Sequence, residues 1–200
     1  SEMCIETDYN VTLLNLWDKH TLLCCSRWQG LLLLDLNTGK CRRPPFDCGK
    51  EIMNVLIDSQ KRIWVAPYNG GLNCLTRDGK LLATYTTHNS SLSNNVILSL
   101  AEREGEIWIG TDGGGINSFD QKTNTFHHYP TTYGEKVTSI TDFSENELLL
   151  SCFNKGVFTF NKRTAQMQPF PIINDSISKR EFSSGDLVLS LIHISEPTRH

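Results

Sequence analysis

Short apolar runs broken by turn residues fill most of this chain, and no stretch of useful length shows a helical period. One such series occupies residues 96–101, 106–111, 115–120 and 125–129. Runs this short, rich in Val, Ile, Trp, Phe and Tyr, predict β-strands, here termed a, b, c and d. The breaks carry turn chemistry: Arg103-Glu104-Gly105, then Asp112-Gly113-Gly114-Gly115, then Gln121-Lys122-Thr123-Asn124. Ile107-Trp108-Ile109 shows no polar alternation, which predicts a strand buried on both faces.

The same series recurs. Segments beginning at Leu22, Ile63, Ile107 and Leu148 align without gaps, and their shared glycines, Gly30, Gly71, Gly115 and Gly156, lie 41, 44 and 41 residues apart. A second marker holds the register: Val11, Ile52, Val96 and Val137 each stand 11 residues before their segment. The glycines fall where a tight b-to-c turn re-enters a strand, a place that calls for positive φ. Four antiparallel strands per roughly 40 to 45 residues is the period of a propeller blade. The fold class is therefore all-β: a β-propeller fragment of four consecutive four-stranded antiparallel blades plus the start of a fifth.

The boundaries follow from the repeat. Residues 1–10 read as the tail of a preceding blade, with Met3-Cys4-Ile5 ending its strand d. The blades span 11–51, 52–95, 96–136 and 137–182, and 183–191 supplies the first strand of a fifth, where Leu187–Leu191 aligns with Val96–Leu100. Residues 192–200 form a non-repeat tail that reads as foreign to the array, an artefactual scar being one origin. Trp64 and Trp108 are expected to be equivalent and buried between blades.

Composition narrows the function. The chain has 200 residues, 38% hydrophobic and 20% charged, with a formal net charge of −3. That balance argues against nucleic acid or an anionic membrane surface as the main partner. No run approaches the roughly 20 apolar residues of a membrane helix, and Ser1–Asn10 lacks the basic start and apolar core of a signal peptide. Seven cysteines (Cys4, Cys24, Cys25, Cys41, Cys48, Cys74 and Cys152) show no C-x-x-C spacing. They read as small residues packed in strands, and their number leans towards a reducing compartment. A phosphate-loop reading of Gly110–Gly115 fails because a strand, not a helix, follows.

Ile107-Trp-Ile-Gly-Thr-Asp-Gly-Gly-Gly-Ile-Asn-Ser-Phe-Asp120, followed by Phe126-His-His-Tyr129, closely resembles the two-component regulator propeller repeat. Asn94-Asn-Val-Ile-Leu-Ser-Leu100 resembles its strand a, and Ile63-Trp-Val65 with Gly70-Gly-Leu72 is a second good copy. The first and fourth copies lack the Trp and the double glycine. The resemblance covers about Val11 to Phe170. It implies a non-catalytic sensor segment on the periplasmic side of a membrane-anchored, homodimeric hybrid histidine kinase/response regulator. In that family a β-sandwich, a membrane helix, a kinase, a receiver and often an AraC-type DNA-binding domain follow, and many members sense oligosaccharides. None of the six histidines here is followed by Glu, as a kinase phospho-acceptor would be.

In a propeller the b–c turns and d–a connections share one face. The b–c turns here supply Arg27-Trp28-Gln29, Tyr68-Asn69, Asp112-Gly113 and Phe153-Asn154-Lys155; the d–a connections supply His88-Asn-Ser-Ser91 and Thr131-Thr-Tyr133. Sugar binding needs aromatic faces for the apolar side of the ring, with amides and carboxylates for the hydroxyls. The candidate ligand-binding residues are thus Trp28, Tyr68, Asn69, Asp112, Phe153 and Asn154. A packing role for the aromatics and a turn-forming role for Asn and Asp stand as the competing reading. No catalytic residue, metal or cofactor is expected. The expected partners are an oligosaccharide or other small molecule and the remaining blades of the parent, with no nucleic acid. His127-His128 in strand d is expected to show one ring to solvent and one to the next blade, and Glu102 and Glu104 to be solvated charge. Two other classes stay open. An intracellular interaction scaffold would carry the Gly-His and Trp-Asp marks of WD repeats; no Gly-His pair occurs, and the one Trp-Asp pair, Trp17-Asp18, does not recur from blade to blade. A propeller lyase would need His and Glu in the b–c turns, which hold neither.

Overall fold

The computed structural model describes residues 3–4, 11–26, 28–131 and 136–170, and of 3–4 only the backbone. Arg27, Thr132, Tyr133, Ile5 and everything assigned to the fifth blade and the tail lie outside the described residues. No helix occurs among those described, and the strands fall into four sheets. The chain divides into two compact units after Ile97.

The first unit holds two blades. Blade 1 consists of β2 (Val11–Asp18), β3 (Thr21–Ser26), β4 (Gly30–Asp35) and β5 (Lys40–Arg42), and blade 2 of β6 (Ile52–Ile57), β7 (Ile63–Pro67), β8 (Leu72–Leu75) and β9 (Leu81–Tyr85). Each is a meander in which neighbours in sequence are neighbours in the sheet. Met3–Cys4, termed β1, lies antiparallel on β5 as a fifth strand, with Met3 opposite Cys41. The second unit repeats the plan. Blade 3 has β10 (Ile97–Arg103), β11 (Glu106–Thr111), β12 (Ile116–Asp120) and β13 (Thr125–Tyr129). Blade 4 has β14 (Val137–Ser144), β15 (Glu147–Cys152), β16 (Gly156–Asn161) and β17 (Met167–Pro169).

The inner strands a carry a shared irregularity. In β2, β6 and β14 the pairing with strand b slips between the first residue and the third, at Val11/Leu13, Ile52/Asn54 and Val137/Ser139. The skipped residue is Thr12 in blade 1 and Thr138 in blade 4, and each hydroxyl donates to a strand-b carbonyl, of Cys25 and Ser151. An extra residue at this point twists the strand and satisfies its own side chain locally. The b–c glycines take positive φ, as the sequence requires. At Gly71, with φ of 73°, a Cβ would stand 2.2 Å from the Tyr85 carbonyl oxygen, so the turn needs glycine on both counts.

Each unit has its own core. Leu23, Cys25, Leu31 and Leu33 of blade 1 pack against Ile52, Val55, Ile63, Val65 and Leu75 of blade 2. Asn15 stitches the same seam: its amide donates to the Val55 carbonyl at 3.0 Å and its oxygen accepts from the Ile57 amide at 3.3 Å. In the second unit Trp108 and Ile116 of blade 3 pack against Leu148, Leu150, Cys152, Phe158 and Phe160 of blade 4. Ser99 of β10 closes this seam by donating to the Val137 carbonyl at 2.9 Å. Trp64 and Trp108 are both 1% exposed, as their equivalence predicts. Five of the cysteines are buried in strands, and burial pushes the Cys25 thiol up to about 11 and the Cys152 thiol up to about 12. Such thiols are inert packing groups at neutral pH.

Two expectations need correcting. The rings of His127 and His128 are both exposed, and His128 Nε2 donates to the Gly114 carbonyl at 2.8 Å. β13 is the edge strand of its sheet, and at these two positions neither face is covered. Glu104 and Glu102 are not merely solvated. Glu104 meets Lys162 Nζ of the next blade at 3.1 Å, and Glu102 accepts from the Gln121 amide at 3.2 Å.

Candidate ligand-facing rim

The b–c turns are three- to four-residue connections too short to fold their side chains back, so residues at the tips project. In the first unit the Gln29 amide returns to the Ser26 carbonyl at 3.3 Å, leaving Trp28 at the tip and 63% exposed. Arg43 Nη1 donates to the Gln29 carbonyl and braces this turn from the following loop. In blade 2 the Gly70 amide donates to the Pro67 carbonyl at 3.1 Å, and Asn69 takes φ of 52°. Tyr68 is thereby left 58% exposed. Its own amide donates to the Glu51 carbonyl at 2.8 Å, which fixes the backbone beneath the ring.

The connection from β9 to strand a of blade 3 is stiffened by its own side chains. Asn89 Oδ1 accepts from the Thr86 amide at 2.7 Å while its Nδ2 donates to the Thr84 carbonyl at 2.8 Å, and Ser90 Oγ donates to the Thr86 carbonyl at 2.7 Å. Asn89 and Ser90 are thus engaged in holding the loop.

In the second unit the predicted residues are drawn into one cluster. Lys136, just ahead of β14, pairs with Asp112 of the blade 3 turn, Nζ to Oδ1 at 2.8 Å, and the two residues form a β-bridge. The Lys136 carbonyl accepts from the Phe153 amide at 3.0 Å, and its ammonium stands 5.8 Å from the Phe153 ring centroid. Phe153 remains 43% exposed, and Asn154 beside it takes φ of 57°. The turn of blade 3 is itself held by Thr111 Oγ1, which donates to the Gly115 carbonyl at 2.9 Å and accepts from the Gly114 amide at 3.1 Å. The Asp112 carboxylate therefore sits on a braced loop, paired with a cation that itself stands over the Phe153 ring.

All six predicted residues lie at these turns. The first unit presents Trp28, Tyr68 and Asn69, and the second joins Asp112 to Phe153 and Asn154 through Lys136. Sequence reasoning missed Lys136 and Arg43, because each acts on a turn distant in sequence from a position with no motif of its own. The other edge of the second unit holds a groove of about 320 Å³ lined by Arg103, Glu104, Glu106, Asp120, Lys162 and Arg163 among others. No aromatic ring lines it, so it lacks a stacking platform. Among the described residues, no three His, Cys, Asp or Glu side chains are placed to hold a metal ion.

The two component regulator propeller family matches residues 91–113, which span the end of the blade 2–3 connection, strands a and b of blade 3 and the start of its b–c turn. No curated protein sequence matches the chain. Among solved structures, the extracellular domain of the putative hybrid two component system BT4673 from B. thetaiotaomicron aligns over 81% of this chain and 25% of that one, with 17% identity and a TM-score of 0.65. The corresponding domain of BT3049 from the same organism aligns over 78% and 22%, with 21% identity and a TM-score of 0.63. The WD40 repeats of RRP9 align over 84% and 53%, with 11% identity and a TM-score of 0.65. The chain thus spans about a quarter of the length of these two extracellular domains. These likenesses establish the propeller fold, and residues 91–113, mostly in the third blade, match the two component regulator propeller family.

Proposed function

We propose that this chain is a ligand-sensing, non-catalytic propeller segment of a hybrid two-component regulator, on the extracytoplasmic side of a membrane-anchored, dimeric parent. Its stimulus is an oligosaccharide received on the b–c rim. The observation that carries this reading is the recurrence of an open aromatic ring, Trp28, Tyr68 and Phe153, at or beside one turn position in three blades. Isolated exposed aromatics are ordinary; three at or beside one repeat position, on turns braced by Arg43, Glu51 and Lys136, supply preformed stacking platforms. The remaining blades of a longer parent are the natural partners in passing on the signal.

The test is calorimetric titration of the chain with a panel of neutral and acidic oligosaccharides, repeated on Trp28→Ala, Tyr68→Ala and Phe153→Ala. A sugar stacked on one such ring should lose roughly 1 to 3 kcal/mol when that ring is removed. If the wild type binds a glycan and all three variants bind it equally well, the rim is structural. Binding of a protein segment to the same rim in place of any glycan would favour an interaction scaffold of the WD40 kind.

A further inference from the structure

The groove of about 320 Å³ in the second unit lies between blades 3 and 4, so both of its walls belong to the array itself. It is framed by the a–b and c–d turns of the two blades, at the edge away from the b–c rim. In the first unit the same seam is filled from within. There the Arg77 guanidinium lies 3.6 Å from the Trp17 ring centroid, and Trp17 stacks on Phe46 at 6.4 Å. Lys162 takes the place of Arg77, six residues after the b–c glycine, and Glu102 that of Trp17, six residues after the strand-a marker. Without those rings the seam of the second unit stays open.

Charge of both signs lines the opening. On one wall Glu106 stands directly opposite Asp120 in the β11–β12 register, an arrangement in which like charges repel. The cations that could relieve this pair are engaged elsewhere, Lys162 with Glu104 at 3.1 Å and Arg103 with Asp142 at 3.3 Å. Arg163 and Lys122, at the c–d turns, are exposed and form no salt bridge among the described residues. One step along the face that carries Glu106 and Asp120, Trp108 stands opposite Ser118, at 1% and 0% exposure. Trp108 Nε1 and Ser118 Oγ have no hydrogen-bond partner among the described residues. Trp64 and Trp108 stack alike on Tyr85 and Tyr129, and Trp64 Nε1 points to its a–b turn, so Trp108 Nε1 is directed to the turn that lines the groove.

We propose that this groove is a second binding site, for a free α-amino acid, with the ammonium between Glu106 and Asp120 and the carboxylate on Arg163 and Lys122. A bare cation would meet Lys122, Lys162 and Arg163, and a bare anion would meet Glu106, Asp120 and Glu145; a zwitterion satisfies both sets. The volume is at the small end of ligand sites, which run from about 300 to 1,000 Å³, and suits a single amino acid. The unused donor of Trp108 and the hydroxyl of Ser118 add hydrogen-bonding capacity behind the acid pair, within reach of a bridging water. This site is independent of any ligand on the b–c rim.

The test is calorimetric titration of the chain with each proteinogenic L-α-amino acid. At least one should bind with dissociation on the order of 0.1 to 1 mM, as suits ion pairs half open to water. Its amide keeps only the ammonium and its N-acetyl form only the carboxylate, and each should bind at least about tenfold more weakly. Glu106→Gln and Arg163→Gln should each weaken the parent amino acid about tenfold. Arg163 is exposed, so its replacement leaves the fold intact, and an unchanged circular dichroism spectrum checks the near-isosteric Glu106→Gln. No binding by any amino acid overturns the proposal. An amide or N-acetyl form that binds as tightly as its parent, or undiminished binding in either variant, overturns it equally.

Discussion

Trp64 and Trp108 hold the same position in successive repeats and are equally buried, yet each is secured by different means. In blade 2 the indole Nε1 donates to Asp58 Oδ2 at 2.9 Å. Arg62 Nε donates to the same oxygen at 2.7 Å, and the Arg62 amide donates to Oδ1 at 2.8 Å. The guanidinium also lies 5.3 Å from the Trp64 ring centroid. A tight a–b turn therefore encloses a charged pair that holds the ring by its polar end. In blade 3 the equivalent positions are Glu102 and Glu106, two acids where blade 2 has an acid and a cation. Trp108 Nε1 finds no acceptor among the described residues, and the ring is caged instead by Tyr129, stacked at 5.7 Å, and Phe160, edge-on at 5.8 Å. Conserving the shape of a buried ring within an array leaves free the choice between polar tethering and aromatic packing. The tether is costlier to break, because its loss strands charged and polar groups.

The largest effect should come from cutting the tether. Asp58→Ala leaves Arg62 and Trp64 without their acceptor and should cost about 3 kcal/mol, the low end for a broken buried pair because Arg62 keeps some contact with water. Glu102→Ala, at the matching position, removes one bond to Gln121 and should cost under about 1 kcal/mol in the same urea titration. Equal losses would show that the two turns are held alike.

A finer cut compares the rings. Trp64→Phe and Trp108→Phe remove the same volume, but only the first gives up a hydrogen bond to a carboxylate. The first should therefore be more destabilising than the second by about 1.5 to 3 kcal/mol. A difference near zero would mean that the Asp58 contact contributes little beyond packing.

The smallest effect concerns pH. Burial, with Asp120 close by, pushes the Glu106 carboxyl above its ordinary value of 4.5. The folded chain thus holds that proton more tightly than the unfolded one. This contribution is present at low pH and is lost as pH rises from about 4.5 through the raised value. Glu106→Gln should flatten that part of the stability–pH curve, whereas Arg62→Gln, its blade 2 counterpart, should not. An unchanged slope in Glu106→Gln would place the titration elsewhere.

The fold was legible because the signal is periodic: four copies of one glycine and one strand-a residue fix register, blade length and the burial of both tryptophans together. The exposure of Trp28, Tyr68 and Phe153 followed from their place at turn tips. What stayed hidden depends on contacts across strands or between blades. Lys136 looks like any lysine before a strand until Asp112 is brought beside it. Asp58 looks like a turn former, and only the register shows it under an indole. Glu104 and His128 were misjudged for the same reason, since Lys162 and the Gly114 carbonyl are distant in sequence.

The fifth strand on blade 1 bears on the order of assembly. Within each blade, hydrogen-bonded strands are joined by short turns, so a blade can zip up from its own hairpins within a small loop. Met3 opposite Cys41 closes a loop that contains the rest of blade 1. That pairing has no template until β5 is in place, and it carries the larger closure entropy. β1 should accordingly dock last and leave first, so that amide exchange at Met3 and Cys4 runs ahead of exchange in β3 and β4 when the chain begins to open.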